Sequence, residues 1–166
     1  MADEYYVSMT IYFASDHAGF ELKNVLLAYV RDELGYPTDD CGAYEYDSGD
    51  DFVEFVQKAV GAVSESPSLN KAIILGGSGQ GEAMVANRLR GIRAVVYYGN
   101  PTRKQMDADG NTLDIITLSR LHNDSNVLSL GARFLDVTEA KEAVSLWLRT
   151  EFISEERHMR RIEKIG

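Results

Sequence analysis

Residues 72–84 read AIILGGSGQGEAM, an apolar run that climbs into four glycines and one serine before the first charge, Glu82. Glycines let a backbone take positive φ and approach a ligand closely. Where such a loop opens a helix, the first N–H groups lack intrahelical acceptors, and the helix dipole adds partial positive charge. The chemistry this suits is the holding of an anion, either a phosphate or a developing oxyanion. Two familiar loops do not fit. A dinucleotide fingerprint, G-x-G-x-x-G, begun at Gly77 would need glycine where Glu82 stands, and no Gly-Lys-Ser/Thr triplet of a P-loop occurs. A carboxylate is repelled by a bound phosphate. Beside an oxyanion hole it makes sense as a general base, taking a proton from carbon while N–H groups hold the enolate oxygen. The bland alternative is a first-turn glutamate that favours the helix dipole, and spacing alone does not choose between them.

The elements that must carry this loop alternate. MTIYFA (9–14) reads as a strand, and Phe20, Leu22, Val25, Leu26, Tyr29, Val30 and Leu34 recur at helical spacing up to Gly35. A short strand is expected near Thr38–Cys41 and a helix over 51–63. KAIIL (71–75) is a short apolar strand of the kind buried on both faces of a parallel sheet. A helix from about Gly81 to Leu89, strands at 93–98 and 126–131, and a helix Thr138–Thr150 capped by Thr138 follow. Ser154 is expected to cap a last helix to about Ile165. No repeat or linker divides the chain, which reads as one domain over 1–166. Strand then helix, repeated, implies an α/β fold, a Rossmann-like three-layer sandwich around a mostly parallel five-stranded sheet. Ligands of such sheets bind at the carboxyl ends of the strands. The segments found after or just before strands are SDHAGF (15–20), GGSGQGE (76–82), LHNDSN (121–126) and GARF (131–134).

Composition narrows the partners. The chain has 166 residues, is 45% hydrophobic and carries a formal net charge of −9, which disfavours binding nucleic acid through phosphates. The last ten residues, RHMRRIEKIG, are nonetheless basic and suit a small anion. A single cysteine, Cys41, cannot form an internal disulfide and fits a reducing compartment. No apolar run approaches the ~20 residues that span a bilayer, and MADEYYVSM has no apolar signal core. The default expectation is a cytoplasmic protein that binds neither membrane nor nucleic acid.

Several motifs, taken in order, resemble one family. They are SDHAGF at 15–20, DCGAY at 40–44, GGSGQGE at 76–82, AN at 86–87, GIRA at 91–94, HND-NVL at 122–128, LGAR at 130–133 and RHMRRI at 157–162. Together they look like ribose-5-phosphate isomerase B, the family that includes the galactose-6-phosphate isomerase subunits. The resemblance implies aldose–ketose isomerisation of a sugar phosphate through an enediolate, with no metal or cofactor. In many members the base is a cysteine just before the glycine loop. Here Gly76 holds that place, and a second branch of the family instead carries a glutamate directly after the loop, as Glu82 stands here.

The resemblance also implies the remaining roles. Gly77, Ser78, Gly79, Gln80 and Gly81 form the oxyanion-binding loop. Asp16 and His17 touch substrate, His17 with a possible reach to phosphate; the plain alternative is a helix cap and a bystander imidazole. His122 acts as the acid in ring opening, a task apt for a side chain that titrates near neutrality, and Asn123 hydrogen-bonds sugar hydroxyls. Arg133, Arg157 and Arg161 bind phosphate, Arg157 and Arg161 lying one turn apart on one helix face. Without the resemblance those arginines read as a solvated basic helix. Cys41 reads as an ordinary small thiol, Tyr44 as a candidate pocket wall, His158 as a helix-surface residue and Trp147 as core or interface. The family implies a homodimer or tetramer with sites shared between chains, and the C-terminal helix (about 154–165) at the interface. One departure is an apparent insertion, QMDADGNTLDIIT (105–117), expected as a loop or extended helix start and not a metal site. The rival readings are isomerisation of a six-carbon sugar phosphate (allose 6-phosphate or galactose 6-phosphate type) and a non-catalytic sugar-phosphate-binding module.

Overall fold

The structure, a computed structural model, describes residues 8–103, 105, 106 and 108–166; the acidic start of the chain and part of the insertion lie outside that range. Its strands are β1 (Ile11–Ser15), β2 (Thr38–Asp40), β3 (Lys71–Gly76), β4 (Ala94–Tyr97), β5 (Gln105–Met106), β6 (Thr112–Leu113) and β7 (Val127–Gly131). Its helices are α1 (Phe20–Ala28), which runs on into a π-helical turn at Tyr29–Glu33, α2 (Phe52–Ser64), α3 (Gln80–Ala86), α4 (Ile115–Asn123), α5 (Val137–Arg149) and α6 (Glu156–Ile165). Five strands form one sheet in the order β2-β1-β3-β7-β4, and every pairing in it is parallel.

The apolar run of β3 shows why this sheet must be covered twice. Ile73 and Leu75 face a core built with Phe13, Leu26, Leu128 and Trp147. Ala72 and Ile74 face the other, built with Val56, Val60 and Ala86. Alternate side chains of a strand point to opposite faces, so both need helices, α1 and α5 on one side and α2 and α3 on the other. Trp147 is fully buried and its Nε1–H donates to Ser125 Oγ at 2.8 Å.

Three expectations are corrected. The cap of α5 is Asp136, not Thr138, because Asp136 and Glu139 form a reciprocal capping box. Ser154 does not cap α6: the helix starts at Glu156 after Glu155, which supplies no side-chain cap. The insertion is neither a plain loop nor a simple helix start. It forms an antiparallel hairpin, β5 with β6, turned at Gly110 (φ 84°), and then α4, capped by Asp114 accepting from the N–H of Ile116 at 2.7 Å.

Parallel register sets what the sheet displays. Ser15 pairs with Leu75 and Gly76 with Gly131, so β1, β3 and β7 end together. The segments that follow them, Asp16–His17, the glycine loop and Ala132–Arg133, therefore meet at one edge. Helix α4 ends at Asn123, turns at Asp124 (φ 44°) and feeds β7 at Val127. His122 and Asn123 thus sit on the last turn of a helix, at the amino ends of the strands and away from that edge.

A buried lysine ties the rim of the sheet. Lys23 of α1 has no exposed surface, and its Nζ donates to both carboxylate oxygens of Asp40 (2.6 and 2.7 Å) and to Ala43 O (2.7 Å). This pins the turn after β2 against α1. Lys23→Met keeps the aliphatic bulk but strands those acceptors. It is expected to lower unfolding free energy by about 1–3 kcal/mol, read as a lower urea midpoint.

Candidate active site

Glu82 lies in the first turn of α3, 5% exposed. Its carboxylate turns back against the end of β3: a Cβ placed on Gly76 would overlap Glu82 Oε1. The absence of a side chain at 76 makes room for the carboxylate, which fills the space a cysteine there would take. The loop between them turns at Gly79 (φ 75°), which favours glycine, and Ser129 of β7 donates its hydroxyl to Gly79 O. Burial raises the Glu82 carboxyl above the ordinary carboxylate range, and the negative charge of Asp16 raises it further; a hydrogen bond from its own backbone N–H works the other way.

Asp16 stands at the end of β1. Its Oδ1 accepts from the N–H of Ala18 (2.9 Å) and Gly19 (3.3 Å), so it also caps the turn that leads into α1. Arg133 follows β7. Its backbone N–H donates to Gly77 O at 3.2 Å, and its Cζ lies 3.3 Å from where a Gly77 side chain would begin. Asp16, Gly77, Ser78, Gly81, Glu82 and Arg133 line one cavity of about 380 Å³, walled by Phe52 and Phe134. Gly79 is buried behind the loop and Gln80 is exposed; neither lines the cavity. His17 borders it through its neighbour Asp16, with Nδ1 2.7 Å from Asp50 Oδ1.

The other expected residues gather elsewhere. His122 and Asn123 line a second cavity, of about 520 Å³, with Val95, Val96 and Met106. His122 stacks on His158, ring centroids 4.4 Å apart and planes 11° apart. His158 is therefore buried, 4% exposed, and not a helix-surface residue. Burial lowers its imidazole below the ordinary range, with His122 and Arg157 adding to the effect. Arg157 pairs with Glu155 (2.7 Å) and Asp109 (3.5 Å), and Arg161 lies exposed on the same helix. A single chain thus brings Asp16, the glycine loop, Glu82 and Arg133 together. It holds His122, Asn123 and Arg157 apart from them, because α4 runs against the strands.

Sequence reasoning missed Asp50 and His158, and it overlooked Phe52 as a cavity wall. Tyr44 is not a wall of the Glu82 cavity; it is 62% exposed and its hydroxyl meets Lys58 Nζ. Cys41 is buried, and burial with the nearby Asp39 pushes its thiol up to about 11, which removes thiolate character. Among the described residues, Asp16, His17 and Asp50 are the cluster dense enough to consider for a metal, with ligand atoms within 4.8 Å of one another. Asp50 Oδ1 already accepts from the backbone N–H and the ring Nδ1 of His17, and Asp16 Oδ1 accepts from the N–H groups of Ala18 and Gly19, so one oxygen of each carboxylate is engaged.

The fold and the Glu82 cavity define an α/β protein with a buried carboxylate set against a glycine loop and an arginine. Residues 11–165 match the family described as Ribose/Galactose Isomerase, and the chain belongs to that family. It is 35% identical to ribose-5-phosphate isomerase B of Mycolicibacterium paratuberculosis over 93% of this chain and 88% of the relative. Against the Escherichia coli protein of that name the identity is 33%, over 93% of each. The crystal structure of ribose-5-phosphate isomerase B from Mycoplasma genitalium with bound ribulose 5-phosphate superposes with a TM-score of 0.82 at 28% identity. That match covers 96% of this chain and 95% of that one. The enzyme from Thermotoga maritima gives a TM-score of 0.77 at 34% identity, over 95% and 97%.

Proposed function

We propose that the protein interconverts ribose 5-phosphate and ribulose 5-phosphate through an enediolate, without a cofactor. The observation that carries this is the buried Glu82 carboxylate occupying the space in front of Gly76, beside the glycine loop. Starting from the aldose, Glu82 removes the C2 proton. The C2–H electron pair becomes the C1–C2 double bond, and the carbonyl pair moves onto O1. Glu82 then returns its proton to C1 while the O2 proton passes to O1, leaving a ketone at C2. The N–H groups of Gly77–Gly81 stabilise the charge on oxygen during these steps. Asp16 and His17 contact the sugar phosphate. Arg133 of the same chain, with Arg157 and Arg161 of a second copy, holds its phosphate, whose binding energy orients the reacting carbons.

His122 opens the furanose ring and Asn123 binds hydroxyls, both supplied by a second copy of the chain. This reading is supported by the placement of His122 at the far end of the sheet from Glu82. It is also supported by two exposed apolar side chains, Phe134 (62%), which lines the Glu82 cavity, and Met84 (69%), on the same helix as Glu82. The assembly is a homodimer, or a tetramer of two such dimers, of one-domain chains with α6 at the interface. Among the described residues no helix is long and apolar enough to cross a membrane, and we place the enzyme in the cytoplasm.

The test is turnover of ribose 5-phosphate, allose 6-phosphate and galactose 6-phosphate by the wild type in chelator-treated buffer. Preferred turnover of ribose 5-phosphate is expected. Turnover of a six-carbon phosphate alone overturns the substrate, and turnover of none overturns the enzyme. A second test uses the Gly76 contact. Gly76→Ala drives the Glu82 carboxylate out of place and is expected to lower kcat about 10- to 100-fold. Added to Glu82→Ala, the same change is expected to cost nothing further, as coupled neighbours require.

A further inference from the structure

Asp50 has no part in the roles assigned above, yet it is built into the site. It lies in the turn before α2, and its side chain is 7% exposed. One oxygen, Oδ1, accepts twice from the same residue, from the backbone N–H of His17 at 3.0 Å and from its ring Nδ1 at 2.7 Å. The other, Oδ2, is buried and has no hydrogen-bond partner among the described residues. A buried carboxylate with one idle oxygen has a use for an imidazole N–H and a cost if it loses it. Tyr46 meets the same ring edge-on, centroids 6.2 Å apart. His17 is thus held by its backbone, one ring nitrogen and a T-shaped contact with Tyr46.

From this geometry we infer that Asp50 is a positioning residue: it fixes His17 as the Nδ1–H form and so aims Nε2 at the phosphorylated substrate. A carboxylate on Nδ1 dictates which ring nitrogen carries the proton. With Nδ1–H donated to Asp50, Nε2 is left as an acceptor for a substrate hydroxyl at the edge where β1 ends. The role rests on the function proposed above, in which His17 is a substrate contact.

Two measurements separate the fate of this inference from the fate of that function. The first needs no turnover: ring nitrogen NMR of His17 at alkaline pH, in wild type and Asp50→Ala. The Nδ1–H form is expected in the wild type, with a mixture in which Nε2–H dominates in the variant. An Nε2–H ring in the wild type overturns the inference, whatever the enzyme does. The second is a double-mutant cycle on ribose 5-phosphate kinetics. Asp50→Asn is expected to raise KM about tenfold with a smaller change in kcat, and Asp50→Glu to recover part of it. In a His17→Asn background, Asp50→Asn is expected to change KM less than twofold. Equal losses in both backgrounds mean that Asp50 supports the turn and not the imidazole, and overturn the inference.

Discussion

Exchange of Glu82 for Gln lowers kcat for ribose 5-phosphate by about two to four orders of magnitude, the range a positioned general base contributes, and leaves KM nearly unchanged. Glutamine matches glutamate in size, so it fits the space in front of Gly76 and keeps the loop in shape. What it lacks is a basic oxygen. A raised carboxyl is well suited to the work, because a base nearer neutrality accepts a carbon-bound proton more readily. The acid limb of kcat/KM in the wild type should therefore fall above the ordinary carboxylate range, in the direction burial and Asp16 impose. Stability should move the opposite way from activity. With its folded-state pKa raised, Glu82 binds its proton more tightly in the folded chain than in the unfolded one. Its contribution to stability is complete below the ordinary carboxylate pKa and is lost as pH rises through the raised value. At neutral pH the wild type thus holds a desolvated charge that Glu82→Gln does not. The variant is expected to unfold at higher urea at neutral pH, with the gap closing as pH falls to about 4. A variant with native turnover would remove Glu82 from the chemistry.

The parts of this molecule that were legible in its sequence are those set by local pattern. KAIIL announces a strand covered on both faces, and the residues of α1, α2 and α5 that face the core recur at helical spacing. The cavity at the strand ends was legible for the same reason. Parallel register brings the ends of β1, β3 and β7 together, so Asp16, the glycine loop and Arg133 meet by topology. Helix α4 was readable but was obscured by the DADGN turn beside it. Asp114 ahead of Ile115, Ile116 and Leu118 is a capped helix start. What no spacing reveals is a contact between distant segments. Asp50 reaches His17 across 33 residues, and beside Asp51 it reads as one more acid before a helix, while Asp51 is the cap. His158 sits among arginines on a strongly amphipathic helix, and only packing against α4 turns it inward onto His122.

Mixing two inactive variants, Glu82→Gln and His122→Asn, restores turnover. The expectation follows from chain direction. Glu82 stands where β3 ends, and His122 stands where β7 is about to begin. The cavities around them share no lining residue. One chain cannot bring both groups to one substrate without reversing α4, whereas a two-fold dimer can set the His122 end of one copy against the Glu82 cavity of the other. Each homodimer of a single variant then carries two defective sites. In a hybrid, one site has lost both groups and the other is native. Random exchange makes half the dimers hybrid, so recovery of about a quarter of wild-type activity is expected. Subunit exchange is followed by native mass spectrometry, with the variants mixed under mild denaturant and then diluted. Hybrids that form and stay inactive would mean that Glu82 and His122 serve sites within one chain, and the shared site would be wrong. The double variant Glu82→Gln/His122→Asn, mixed with Glu82→Gln, recovers nothing under the shared-site arrangement, because no glutamate base is present in any pairing. Recovery in that control would assign the restored turnover to something other than a completed site.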